Sequence, residues 1–351
     1  MRICSVASAL PDNFYDQETI VSRLEQEWGD RHFNTERLRR LHQNVLVGGR
    51  HLALPLEEFD ALGGFGDAND AWIRVGIDVG GRALEQALSL AGVAPESLDA
   101  LFFVSVTGLA VPSLDARLVH RLGLNPSVKR TPIFGLGCVA GAAGVARAAD
   151  YVRAFPEHTA ALLSVELCSL TVQREDLSIP NLIATGLFGD GAAAVVLGGS
   201  SAAPALSSGP EVIATRSVLY PDSEDVMGWT IGESGFEIVL SARVPQMVAD
   251  HLRADVDAFL AEEGLRRRDI GTWICHPGGP KVLQAMAEAL EVDESAFDLT
   301  WKGLREVGNL SSTSVLMVLE ETLADPPPAG SFGVLLAMGP GFCSELVLLR
   351  F

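Results

Sequence analysis

The chain has 351 residues, 48% of them hydrophobic and 20% charged, a composition that excludes a disordered chain and allows one large domain or two ordinary ones with a substantial core. Its 26 basic and 45 acidic residues give a formal net charge of −19, which argues against nucleic acid or an anionic membrane surface as the main partner and requires a local basic patch for any anionic substrate. No run reaches the roughly 18 apolar residues of a membrane span, the apolar start is broken at Pro11, and five scattered cysteines form no C-x-x-C pair, so the expectation is a cytoplasmic protein without stable membrane insertion, disulfide framework or metal.

In chain order, residues 1–12 read as a strand and turn, and 15–46 as a polar helical region carrying a basic knot, Arg37, Arg39 and Arg40. Such a knot is either a solvated helix face or a phosphate-binding patch. Residues 71–91 have the spacing of an amphipathic helix, and 101–107 are apolar throughout, as in a strand covered on both faces. The stretch 131–136 reads as a short buried strand, Gly135 and Gly137 permit a tight turn, and helical spacing begins at Val139.

That places Cys138 at a helix N-terminus, where unpaired N–H groups and the helix dipole favour thiolate over thiol. Two other readings compete. A free cysteine is often simply buried, and Gly135-x-Gly137-x-x-Ala140 fits a loose dinucleotide fingerprint, although a thiol would stand where the pyrophosphate must approach.

Residues 160–166 read as another buried strand, and 187–197 as a turn entering a strand. The polar stretch 198–210 marks a boundary between 1–205 and 206–351. The second part repeats the plan, with helices at 244–263, 281–290 and 311–323 and strands at 272–276, 332–338 and 344–351. Alternating strands and helices predict a largely parallel sheet covered on both faces, and the repeated plan suggests duplication. His276 would project from a strand end into the turn Pro277-Gly-Gly-Pro280, and Asn309 either caps the following helix or serves a site.

Cys138, Leu187-Phe-Gly-Asp-Gly-Ala-Ala193, His276-Pro-Gly-Gly-Pro280 and Gly308-Asn-Leu-Ser-Ser312 together resemble the type III polyketide synthases, the chalcone synthase-like branch of the thiolase-fold condensing enzymes. The resemblance runs from about residue 37 to the end and implies two similar α/β halves in a layered αβαβα core. It implies that Cys138 accepts the acyl group while His276 and Asn309 hold the thioester carbonyl of malonyl-CoA during decarboxylation, with no cofactor beyond the CoA thioesters. Phe188 matches the gate between CoA tunnel and acyl cavity.

By the same resemblance Arg37, Arg40, Gly278, Gly279 and Lys281 lie along the CoA path, with Asn44 in place of a third basic contact. Thr107, Cys168, Thr171, Trp229, Ile238, Ser311 and Met338 fall at substrate-cavity positions. Trp229 and Ile238 differ from the plant chalcone synthases, and Val106 stands where bacterial tetrahydroxynaphthalene synthases carry cysteine, which counts against that product. Thr107 and Val111-Pro-Ser113 match a loop that reaches a partner subunit, so a homodimer is implied. The pattern is similar to bacterial enzymes that extend fatty acyl-CoA starters into alkylpyrones or alkylresorcinols. The alternatives are a tetrahydroxynaphthalene synthase-like activity, a single-condensation ketoacyl synthase III and a catalytically silent acyl-CoA binder.

Overall fold

The computed structural model describes residues 1–29, 34–203, 206 and 208–351. The first half contains β1 (Arg2–Ala9), β2 (Asn13–Asp16), α1 (Gln17–Trp28), α2 (Thr35–Asn44), β3 (Gly49–Leu52), α3 (Phe65–Ala91), β4 (Ala100–Ser105), α4 (Leu114–Arg121), β5 (Lys129–Phe134), α5 (Ala140–Ala154), β6 (Thr159–Leu167), α6 (Ile179–Leu187) and β7 (Asp190–Gly198). The second contains β8 (Glu211–Leu219), β9 (Met227–Gly232), β10 (Gly235–Leu240), α7 (Val244–Glu262), β11 (Ile270–Cys275), α8 (Pro280–Leu290), α9 (Asp298–Val307), α10 (Ser312–Ala324), β12 (Phe332–Gly339) and β13 (Cys343–Arg350). The helical stretch expected over 15–46 includes residues 30–33, and the boundary at 205/206 touches Ala205, all outside the described residues.

Among the described residues nine strands form one sheet in the order β11-β12-β13-β8-β1-β7-β6-β4-β5. In the first half β1 and β7, and β7 and β6, pair antiparallel, and β4 pairs parallel to both β6 and β5. The second half repeats this, with β8–β13 and β13–β12 antiparallel and β12–β11 parallel. The halves join through the single pairing Arg2↔Glu211. The sheet is therefore mixed, not largely parallel. Apolar runs report burial on both faces, which a mixed sheet between helix layers satisfies as well as a parallel one.

Among the described residues the three largest apolar cores account for five layers. Helix α3 packs Val79, Ala83 and Leu84 against Leu163, Val165 and Ala194 on one side of the first half. In the middle, α5 and α10 bring Ala142, Val145, Val315 and Leu319 against Leu162, Val195, Leu335 and Val347 from both halves. On the far side α7 and α8 pack Val248, Leu252 and Leu283 against Trp273, Leu336 and Leu346. This is the thiolase-like arrangement. The central helix α5 is Ala/Gly-rich because it is pressed from two sides: a Cβ at Gly141 would lie 2.2 Å from the Ser312 carbonyl oxygen, and one at Gly144 2.4 Å from a Leu162 methyl. No helix among the described residues is long and apolar enough to cross a membrane.

The expected buried strand before Cys138 is corrected: β5 is the outermost strand of the sheet and largely exposed, with Phe134 at 46%.

Helix α2 rests on α6 through His42, whose Nε2 lies 3.2 Å from the Thr185 hydroxyl and whose ring fills the space a Cβ at Gly186 would need. Burial, aided by the Arg50 charge, pushes this imidazole from 6.5 down to about 3. The unfolded chain takes up that proton near pH 6.5 and the folded chain does not, so the stabilisation is full above pH 6.5 and is lost as pH falls. Relative to the parent, His42→Gln is expected to flatten the acid decline of stability by about 1.4 kcal/mol per pH unit below pH 6. Denaturant unfolding at a series of pH values checks this; parallel pH profiles would refute it.

Candidate active site

Cys138 follows β5 through a turn in which Gly135 and Gly137 adopt φ of 96° and 57°, conformations that favour glycine, and it lies in a short 3-10 turn just before α5. Its Sγ is 3.7 Å from the Ser311 Oγ. His276 leaves the end of β11, its backbone N–H held by the Leu336 carbonyl at 2.9 Å. Asn309 follows Gly308, at φ 78°, and is fixed to the segment after α6: its N–H donates to Leu187 O at 2.9 Å and its carbonyl accepts from Gly189 N–H at 3.0 Å. The Asn309 Oδ1 accepts from Ser311 N–H at 2.8 Å, which orients the amide and leaves its NH2 as a donor for the pocket.

These three side chains, from three segments distant in sequence, line one pocket of about 60 Å³ together with Val106, Cys168, Phe188, Trp229, Ile238, Gly278, Ser311 and Met338. The pocket is largely apolar. Burial pushes the Cys138 thiol up to about 12, against a smaller lowering by the Ser311 hydroxyl, and pushes His276 down to about 3. Neither ring nitrogen of His276 meets a hydrogen-bond partner among the described residues. Desolvation of the thiol thus opposes the thiolate that the helix N-terminus favours. Both directions favour the uncharged forms, thiol and neutral imidazole.

Beside this pocket lies a chamber of about 890 Å³ that shares Cys168, Phe188, Trp229 and Ile238 as walls and adds Thr171 and Phe236. Trp229 and Ile238 are direct cross-strand partners on β9 and β10. Thr107 lines neither space; its hydroxyl donates to Glu166 at 3.0 Å and accepts from Trp72 Nε1–H at 3.2 Å. Arg37 and Arg40 are exposed on α2, and Arg39 is tied to Glu18 and Glu25, so the basic knot presents two of its three charges outward. Gly279 caps the start of α8 at φ 126°, and Lys281, two residues on, is exposed.

Two residues escaped the sequence reading. Glu166, fully buried, accepts from Val106 N–H at 3.1 Å, Thr107 and the Ser312 hydroxyl, and burial pushes its carboxyl up to about 7. Its signal was a lone charge closing an apolar strand. Arg50, 2% exposed, donates from Nη1 to the Phe188 carbonyl at 2.9 Å; nothing in its local sequence marks it as buried.

A thiol, an imidazole and an amide donor brought together between the two halves of a thiolase-like fold define an acyl-transferring condensing enzyme. Family models describing the chalcone and stilbene synthases match residues 1–201 with the N-terminal domain and 211–351 with the C-terminal domain. The chain belongs to that family and is a type III polyketide synthase, an acyltransferase that condenses malonyl units carried as CoA thioesters.

It is 52% identical to the 1,3,6,8-tetrahydroxynaphthalene synthase of Streptomyces peucetius subsp. caesius, across 99% of this chain and 92% of that protein. It is 36% identical to a putative chalcone synthase of Bacillus subtilis strain 168, across 99% and 97%. The crystal structure of 1,3,6,8-tetrahydroxynaphthalene synthase from Streptomyces coelicolor A3(2) superposes with a TM-score of 0.93 at 31% identity, covering 100% of this chain and 99% of that one.

Proposed function

We propose that this enzyme builds 1,3,6,8-tetrahydroxynaphthalene from malonyl-CoA, used as starter and extender. The observation that carries this reading is the 52% identity, across 99% of the chain, to the Streptomyces peucetius enzyme of that name. It revises the expectation of a fatty acyl starter and makes the alternative product the principal one. Val106 does not weigh against it enough: its backbone N–H is held by Glu166, and its side chain is one wall residue among many.

In this reading Cys138 attacks the thioester carbonyl of the starter, passes its proton to His276 and expels CoA. An extender malonyl-CoA then loses carbon dioxide, and the enolate oxygen is held by the His276 N–H and the Asn309 NH2. The enolate carbon attacks the Cys138 thioester and the cycle repeats. The product's ten carbons equal five two-carbon units, so five malonyl-CoA yield one tetrahydroxynaphthalene, five carbon dioxide, five CoA and one water.

Arg37, Arg40 and Lys281 would meet the CoA phosphates with Gly278 and Gly279 along its path, Cys168, Thr171, Trp229, Ile238, Ser311 and Met338 would shape the cavity, and Phe188 would gate it. Exposed arginines binding a remote phosphate contribute equally to ground and transition states. Arg37→Ala with Arg40→Ala is therefore expected to raise KM for malonyl-CoA about tenfold or more, increasingly at low salt, with kcat nearly unchanged. A fall in kcat at constant KM would remove them from this role.

A homodimer fits the exposed edge strand β5 and the exposed Leu109 and Val111, 42% and 99% accessible, on the loop before α4. We also retain the division into 1–205 and 206–351 and a cytoplasmic location, in keeping with five free thiols. The size of the chamber favours a second reading, extension of fatty acyl-CoA starters. Incubation with labelled malonyl-CoA alone and with starters of increasing chain length, followed by mass spectrometry, decides. Tetrahydroxynaphthalene or its oxidation product from malonyl-CoA alone supports the first reading; products only with added acyl-CoA overturn it in favour of the second.

A further inference from the structure

Ser223 lies in the connection between β8 and β9, is 1% exposed, and lines neither the Cys138 pocket nor the chamber. Its hydroxyl meets both polar atoms of one peptide unit in the turn between β12 and β13. It accepts from the Phe342 N–H at 2.6 Å, and its proton is shared between the Gly341 carbonyl at 2.9 Å and the Tyr220 carbonyl at 2.7 Å. A second tie runs beside it, from the Tyr220 N–H to the Phe342 carbonyl at 2.9 Å, and the Tyr220 ring stacks on Phe342 with centroids 6.0 Å apart. Tyr220 is anchored in turn by its hydroxyl, which donates to Asp255 on α7. Phe342 is 1% exposed, so water offers its N–H no ready substitute for the Ser223 oxygen.

The other side of the same turn faces the nucleophile. A Cβ at Gly137 would lie 2.5 Å from Pro340 Cγ, and one at Gly339 3.4 Å from the Cys138 backbone nitrogen. Pro340 and Phe342 line the 60 Å³ pocket together with Cys138, His276 and Asn309. At roughly 10–15 Å³ per water, that space holds about four to six water-sized groups, so the position of each wall matters to a chain carried on Cys138. A misplacement of about 1 Å can cost about 100-fold in a step that depends on orientation. His276 and Asn309 are held by Leu336, Leu187 and Gly189, outside this turn.

We propose that Ser223 is a positioning residue for chain growth: through the Gly341–Phe342 peptide it holds the Pro340–Phe342 turn as a fixed wall beside Cys138, and so decides between further extension and early release of the chain. The two outcomes compete at one carbonyl. In extension the enolate carbon from the next malonyl unit attacks the Cys138 thioester. In release the C5 enol oxygen of the bound triketide attacks C1, its own thioester carbon; the C–S bond breaks and the enol proton goes to the departing sulfur, giving a six-membered pyrone and the free thiol. Release requires the chain to curl back beside Cys138, and a fixed wall in so small a pocket denies it that room.

The inference rests on the reading that this enzyme extends its chain repeatedly. It is tested on the full-length enzyme with labelled malonyl-CoA by comparing the parent with Ser223→Ala, which removes the hydroxyl alone. The ratio of fully extended product to triketide pyrone is expected to fall by about tenfold or more. Carbon dioxide release from malonyl-CoA is expected to stay within about threefold of the parent, because the oxyanion donors are held elsewhere. An unchanged ratio overturns the inference, and so does an equal fall in decarboxylation and in all products, since that marks Ser223 as a support for the fold only.

Pro340→Ala keeps the assay decisive if Ser223→Ala does not fold. It loosens the same turn from the side of Gly137 with Ser223 intact, and the same shift toward pyrone is expected; an unchanged ratio there overturns the inference. A parent enzyme that makes a polyketide other than tetrahydroxynaphthalene refutes the product reading alone, and the ratio to pyrone is then taken for that polyketide.

Discussion

Replacing Cys138 with alanine is expected to abolish polyketide formation, a loss of roughly 10⁵- to 10⁶-fold on the scale typical for removing a covalent nucleophile, while malonyl-CoA is still decarboxylated. The separation follows from the geometry. Cys138 is carried by the turn before α5, whereas His276 and Asn309 come from the ends of β11 and α9 and are held by their own backbone hydrogen bonds to Leu336, Leu187 and Gly189. Removing the thiol opens space in the pocket without loosening the oxyanion donors. Acetyl-CoA release from malonyl-CoA, followed by chromatography beside product analysis, checks both halves of the expectation. Residual polyketide at more than a thousandth of the parent rate would mean that the chain is not carried on Cys138.

Asn309→Ala is expected to lower kcat for decarboxylation by about 100- to 1,000-fold with little change in KM, because the amide meets a charge that develops only as carbon dioxide departs. The backbone of Asn309 is anchored independently, so the loop should survive the substitution even though Ser311 N–H loses the Asn309 Oδ1 acceptor. A loss below tenfold would remove Asn309 from the oxyanion site. The effect should appear equally in decarboxylation and in condensation, since both use the same enolate. Burial pushes the Cys138 thiol up to about 12 and the His276 imidazole down to about 3, so in both groups it favours the uncharged form.

Much of this site was legible in the chain. Cys138 was marked by glycines on one side and a small-residue helix on the other, His276 by an apolar strand ending in a glycine-rich turn, and Asn309 by its place before a helix. Each signal is local, a matter of which backbone conformations and hydrophobic periods a short segment allows. The repeated run of strands and helices announced two similar halves for the same reason.

What tertiary structure decided is whatever depends on segments meeting. Strand direction came out mixed because burial on both faces does not encode the direction of a neighbour, and β5 proved exposed because an apolar run does not say which strand stands at the edge. The thiol is pushed up because desolvation is set by everything packed around it, not by the helix it precedes. Thr107 turned from the cavity toward Glu166, and Arg50, unremarkable between Gly49 and His51, became a buried cation that holds the Phe188 carbonyl. Residue types and their spacing determined the chemistry available to this protein, because reactivity belongs to side chains. The volume and partners of the site were decided only by packing, because those properties belong to no single segment.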